Sequence, residues 1–166
     1  MNIEFKVFSL PSQQFVPRFY DEEVDDIRSI LIDVCQFLED DSEFVISGLG
    51  QIRWPLSVGV DFSIFLEQLP ELIHAIVLNE STELDLYEQG IERTLIFASS
   101  ENYYVISCIS RAEWQPSLNS EVVNQVDLIS MLISVFDKFM CTLEEISPML
   151  VKHPWVTSWA KGRHQE

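Results

Sequence analysis

Residues 82–110 read TELDLYEQGIERTLIFASSENYYVISCIS, and this stretch decides the fold. Apolar and polar residues alternate from Thr82 to Glu88. Gln89-Gly90 then supplies a turn containing a residue tolerant of positive φ, and Ile91 to Phe97 alternates again. Ser99 to Asn102 turns the chain once more, into Tyr103–Ser110. Three consecutive strands joined by short turns predict an antiparallel meander over about residues 82–110. Leu84 and Leu86 share one face of it, and Glu83, Asp85 and Tyr87 share the other.

The flanking segments carry the helical period. Before the meander, Phe62, Phe65, Leu66, Leu69, Ile73, Ile76 and Val77 recur at helical spacing, with Asp61 placed as N-cap. Pro70 lies inside that run and predicts a kink or break near Leu69. After the meander and a loop at Pro116, Ser120 is placed to cap the longest helix, lined by Val122, Val126, Ile129, Leu132, Ile133, Phe136, Phe139, Met140 and Leu143. Pro148 ends it. Near the start, Ile3, Phe5 and Val7 alternate as a strand. Val24, Ile27, Leu31, Val34, Cys35 and Leu38 then predict a helix. Its acidic start, Asp21 to Asp26, suits the helix dipole, and its acidic end, Glu39 to Asp41, opposes it. That conflict points to another use for the terminal acids. Phe44 to Ile46 reads as a strand, Gly48 and Gly50 as a turn, and Ile52 to Val60 as a second extended piece, at an edge because of Pro55. The order predicts an α+β fold, a mainly antiparallel sheet with three helices packed against it.

The chain has 166 residues, no internal repeat and no Pro/Gly/Ser-rich linker, so a single domain over 1–166 is expected. Residues 152–166 form an amphipathic, mildly basic tail that is expected to be loosely ordered, though Trp155 and Trp159, four apart, could pack it onto the domain. No basic-then-apolar leader opens the sequence, and no apolar run is long enough to span a bilayer. Cys35, Cys108 and Cys141 are odd in number and form no CxxC pair, so reduced buried thiols and a cytoplasmic setting are expected.

Charge is the other informative feature. The chain carries 27 Asp and Glu against 10 Lys and Arg, a formal net charge of −17. From Trp54 to Glu92 there is no Lys or Arg, while Asp61, Glu67, Glu71, Glu80, Glu83, Asp85, Glu88 and Glu92 supply eight carboxylates. With 47% apolar residues and 11 Phe, this is not the composition of a disordered acidic tail. Such a field repels nucleic acid and anionic lipid and attracts basic partners.

Motifs with chemistry are missing. The hairpin acids do not follow the calcium-loop pattern, so no metal is expected. His74, His153 and His164 fit neither an HExxH nor a Cys/His zinc pattern, and read as a helix-surface histidine, a structural corner before Pro154, and a tail residue. No G-x-S-x-G elbow, phosphate loop or dinucleotide fingerprint occurs. No cofactor and no catalytic residue is expected. Trp54, beside Arg53, reads either as a core residue or as an interface anchor.

The acid–aromatic stretches DFSIFLEQLPEL (61–72) and TELDLYEQGIER (82–93), with the size and charge, resemble bacterial immunity proteins that neutralise nuclease toxins of polymorphic or contact-dependent inhibition systems. That resemblance implies a cytoplasmic inhibitor that occludes a basic toxin or docks beside its active site. The residues expected to bind the partner are Glu83, Asp85, Tyr87, Glu88 and Glu92 on the hairpin, with Glu67 and Glu71 on the second helix. Three other readings stay open: a nucleic-acid mimic, a ligand binder or enzyme with an unrecognised pocket, and a homo-oligomeric subunit joined through the long helix or the tryptophan-bearing tail.

Overall fold

The computed structural model describes residues 1–162. The elements run β1 (Asn2–Val7), α1 (Ile27–Leu38), β2 (Ser42–Ser47), α2 (Ser63–Val77), β3 (Thr82–Leu86), β4 (Arg93–Ser100), β5 (Tyr103–Ser110), β6 (Ser120–Asn124), α3 (Gln125–Ile146), α4 (Pro148–Val151) and α5 (Pro154–Lys161). The class is α+β, as expected, with two antiparallel sheets. β1 pairs with β2, and β3-β4-β5-β6 form the second sheet in sequence order. Among the described residues the expected three α-helices are five, because the C-terminal segment folds into α4 and α5 in place of a loose tail. Its last residues, including His164, lie outside the described ones.

One face of the four-stranded sheet builds the core. Leu84, Leu86, Leu95, Phe97, Tyr104 and Ile106 are all buried, and they pack with the apolar faces of α1, α2 and α3. An aromatic cluster joins the smaller sheet to the helices: Phe62 stacks on Phe5 at 4.3 Å and lies 4.7 Å from Phe44 and 6.0 Å from Phe139. The other face of the larger sheet meets solvent, and there Val105, Ile109 and Val122 are exposed beside Glu83.

Several boundaries differ from the sequence reading, each for a physical reason. α1 begins at Ile27, not in the acidic run. Asp26 is its N-cap and accepts from the Arg28 N–H, and Val24 is exposed ahead of it. Residues 52–57 form no strand, and Val58–Phe62 is instead a wide turn in which the Phe62 N–H bonds the Ser57 carbonyl. Asp61 is therefore not the cap of α2. Ser57 and Asp61 bond each other reciprocally across that turn, with the Asp61 carboxylate accepting the Ser57 N–H (2.6 Å) and hydroxyl (3.0 Å). Glu39, whose place at the end of α1 opposes the dipole, accepts the Val58 N–H (3.3 Å) and the Gly59 N–H. A Cβ at residue 59 would meet that carboxylate, so a larger residue there would have to displace Glu39 from these N–H groups.

Ser120 does not cap α3. Residues 120–124 pair with β5 as an edge strand, and Asn124 caps the helix through the Val126 N–H. Val122 and Val126 consequently leave the core face.

Pro70 does not end α2, which runs unbroken from Ser63 to Val77. A proline at position 70 leaves the Leu66 carbonyl without its intrahelical donor. The indole N–H of Trp159 in α5 donates to that carbonyl at 2.9 Å. Trp159 also stacks on Phe136 at 5.2 Å and meets Phe139 edge-on at 6.0 Å. α5 thus docks on the defect in α2, and His153 caps α5 by accepting the Trp155 N–H.

Candidate functional site

The docking of α5 beside α2 creates a cleft of about 470 Å³, whose lining includes Asp26, Glu67, Glu71, Trp155 and Trp159. A second depression of about 210 Å³ continues it on the far side of Glu67, where Arg28, Tyr87 and Glu88 meet it. Glu67 is common to both, so the two form one furrow along α2. Asp26 and Arg28 come from the start of α1, Glu67 and Glu71 from adjacent turns of α2, and Tyr87 and Glu88 from the β3–β4 loop.

That loop is wider than the alternation predicts. β3 ends at Leu86 and β4 begins at Arg93, leaving Tyr87 to Glu92 outside both strands. Gly90 takes φ +89°, as a turn glycine should, but Glu92 also enters the left-handed region at φ +32°. Freed from the sheet face, Tyr87 turns back over α2 and its hydroxyl donates to Glu67 at 2.8 Å. Gln68 pins the same hairpin to the helix, its amide donating to the Asp85 carbonyl (2.9 Å) and accepting the Asp85 N–H (2.9 Å).

The electrostatics follow. Partial burial, the Glu67 hydrogen bond and the Glu67 charge push the Tyr87 hydroxyl up to about 12, so it remains a donor at neutral pH. Hydrogen bonding from the Arg28 guanidinium holds Asp26 below the usual carboxylate range, and the same contact raises Arg28. Arg28 is thereby committed to Asp26, at 2.5 Å. Among the described residues, Glu67, Glu71 and Glu88 enter no ion pair. The furrow therefore presents four carboxylates against one engaged guanidinium, flanked by Tyr87 and the half-buried Trp155.

The structure brings together Glu67, Glu71, Tyr87 and Glu88 of the residues singled out from sequence. It places the other three elsewhere. Glu83 stands exposed on the solvent face of the sheet. Asp85 is held by the Thr94 hydroxyl (2.9 Å) and by Arg111 (3.0 Å). Glu92 is half-buried at the loop's end, with its carbonyl accepting the Arg111 N–H. Asp26, Arg28 and Trp155 were not singled out as site residues. Asp26 was legible only as part of an acidic run, and Trp155 only as one of a tail pair.

Trp54 is not a surface anchor; it is fully buried. Its ring lies 4.8 Å from that of Trp114, and the Arg93 guanidinium lies 4.0 Å over Trp114 and 6.0 Å from Trp54. Arg93 is only 2% exposed, and its Nε and Nη1 have no acceptor among the described residues. Burial lowers its pKa and raises that of Asp61. Arg53 instead pairs with Glu43. Among the described residues no group of three His, Cys, Asp or Glu side chains is arranged to hold a metal, and no helix is long and apolar enough to cross a membrane. No family model, curated protein or solved structure matches the chain.

Proposed function

We propose that the protein is an acidic protein-binding inhibitor, of the immunity type, that neutralises a basic partner such as a nuclease toxin by seating it on the α2 furrow. One observation carries this reading: Glu67, Glu71 and Glu88 line a concave, aromatic-flanked furrow and enter no ion pair among the described residues, its one guanidinium, Arg28, being engaged by Asp26. Elsewhere Asp25, Asp33, Glu43 and Asp85 are each satisfied by an arginine. Carboxylates gathered without counter-charge raise the energy of the free protein slightly and attract a Lys or Arg from outside. Tyr87 and Trp155 supply the rigid amphipathic area that anchors interfaces. The three cysteines are free, and although only Cys35 is buried as expected, Cys108 being half-buried and Cys141 exposed, free thiols are compatible with a reducing cytoplasm as the place of action.

The test is capture from the native host at low salt, repeated across a salt series, with wild type and with Glu67→Lys/Glu71→Lys/Glu88→Lys. A single basic protein, held by wild type, released as salt rises and lost by the variant, supports the reading. No captured protein, or capture unaffected by the variant, overturns it. A second reading has one specific observation behind it. The solvent face of the larger sheet exposes Val105, Ile109 and Val122 together, which suits self-association, and sedimentation would report it.

A further inference from the structure

Between β1 and α1 the chain runs through residues 8–26 without regular structure, a length more typical of functional loops than of connectors. It is nevertheless tied down. Phe15 is buried and meets Phe37 edge-on at 5.0 Å, the Ser9 hydroxyl donates to Asp41, and Arg18 bridges Asp25 (2.7 Å) and Asp33 (2.9 Å). Despite this anchoring, the strap turns apolar side chains outward: Val16 is 79% and Phe19 87% exposed. Across from them, on α4, Met149 is 77% exposed. Between the two walls lies a groove of about 600 Å³ whose lining includes Phe15, Ile146, Pro148 and Leu150. Ordered apolar groups held out around a concave apolar surface mark an interaction site, and methionine suits a surface that must adapt.

Charge says what fits. The strap wall continues into exposed Asp21, Glu22 and Glu23, and the other wall is preceded by exposed Glu144 and Glu145. Arg18, inside the groove, is consumed by its two aspartates and lies 4.7 Å over the Tyr20 ring. These carboxylates disfavour an anionic membrane and favour a ligand with basic flanks. The groove also adjoins the α2 furrow. Tyr20 and His153 line the groove, Trp155 lines the furrow, and the Tyr20 ring lies 6.1 Å from His153 and 6.3 Å from Trp155. We propose that this groove receives an amphipathic helix of the basic partner, with its apolar face against Phe19, Val16 and Met149 and its Lys or Arg residues toward the flanking acids. The inference rests on the inhibitor reading and adds a second, apolar anchor to it.

The test uses a lysine–leucine peptide patterned as an amphipathic helix, with a second peptide in which serine replaces the leucines. Binding is measured for wild type, Phe19→Ser/Met149→Ser and Glu67→Lys/Glu71→Lys. The affected side chains are exposed, so unchanged melting is expected and is checked first. The groove variant should bind the leucine peptide at least about tenfold more weakly, from lost apolar burial. The serine peptide should bind weakly and ignore the groove variant. Equal affinity of wild type and groove variant, or of the two peptides, would overturn the inference. A loss confined to the furrow variant would remove the groove but leave the inhibitor reading standing. A wild-type dimer dissolved by the groove variant would assign the groove to a second copy, and that too would overturn the proposal.

Discussion

Around Arg18 the carboxylates of Asp25 and Asp33 share one guanidinium, whereas along α2 those of Glu67, Glu71 and Glu88 pair with none among the described residues. In sequence the two sets look alike, as acids spaced around apolar residues. In the fold they do opposite work. The first set fastens an irregular strap to α1, and its charge is spent internally. The second enters no ion pair among the described residues, since Arg28, the guanidinium that shares its furrow, is engaged by Asp26, and Tyr87 donates to Glu67 to fix its direction. Total charge therefore says little about where a partner binds. What matters is which carboxylates the fold leaves uncompensated.

The comparison can be broken most severely at Trp159, which lines the furrow and holds α5 on α2. Trp159→Ala should cost about 3–5 kcal/mol from lost packing and dismantle the furrow while leaving the Arg18 cluster formed, as chemical denaturation and amide exchange would report. Trp159→Phe should cost about 1–3 kcal/mol by orphaning the Leu66 carbonyl. The penalty should shrink in a Pro70→Ala background, where residue 70 regains an N–H for that carbonyl. An unchanged penalty would refute the proposed link between Pro70 and Trp159.

A smaller effect separates the two acid sets by pH. Hydrogen bonding to Arg18, first among its causes, holds Asp25 well below the ordinary carboxylate range. Its stabilisation is present above the unfolded-state value of about 3.9 and is lost as pH falls through the folded value. Asp25→Asn should therefore lower the melting temperature at neutral pH and flatten its fall in acid. Glu71→Gln, which removes an exposed and unpaired charge, should leave stability within about 0.5 kcal/mol at either pH.

Asp61 runs the other way. Burial raises its pKa, and its Oδ1 has no partner among the described residues. The native state then binds a proton more tightly than the unfolded state. This contribution is full below the unfolded value and is lost as pH rises through the folded one. Asp61→Asn should raise neutral-pH stability by about 1 kcal/mol, by giving the buried position a neutral group, and should remove that pH dependence. Destabilisation at neutral pH would show that the ionised carboxylate is needed to hold Ser57. The smallest change is Tyr87→Phe, which deletes one half-exposed hydrogen bond. It should cost about 0.5 kcal/mol yet weaken partner binding measurably, because Glu67 loses its orienting donor.

How much of this was legible depends on how local the cause is. The meander was readable because alternation is a neighbour-to-neighbour signal, and β3 to β5 fall where Leu84, Leu95 and Ile106 place them. The strand at 120–124 was not, since Val122 and Val123 suit a helix face or an edge strand equally until β5 is there to pair with them. That α2 continues through Pro70 was not legible, because the donor that compensates it, Trp159, is 93 residues away in the chain yet adjacent in space. The furrow was half visible. Glu67 and Glu71 share a helix face, which the period reveals. Tyr87 reaches them only because the hairpin loop opens two residues early. The Arg93 site over Trp114, which packs on Trp54, left no local trace, and the sequence pointed instead to Arg53, the arginine next to Trp54 in the chain.

The central claim is that the uncompensated carboxylates of the α2 furrow, rather than the net charge of the chain, guide a basic partner. The most direct test is the low-salt association rate of the captured basic protein with two triple variants of equal charge. One is Glu67→Lys/Glu71→Lys/Glu88→Lys. The other is Glu83→Lys/Glu101→Lys/Glu113→Lys, at exposed acids outside the furrow. The furrow variant should associate about tenfold or more slowly, with the difference fading as salt rises, and the second variant should lose far less. Equal losses in both would show that net charge alone does the steering and would contradict the assignment of the furrow.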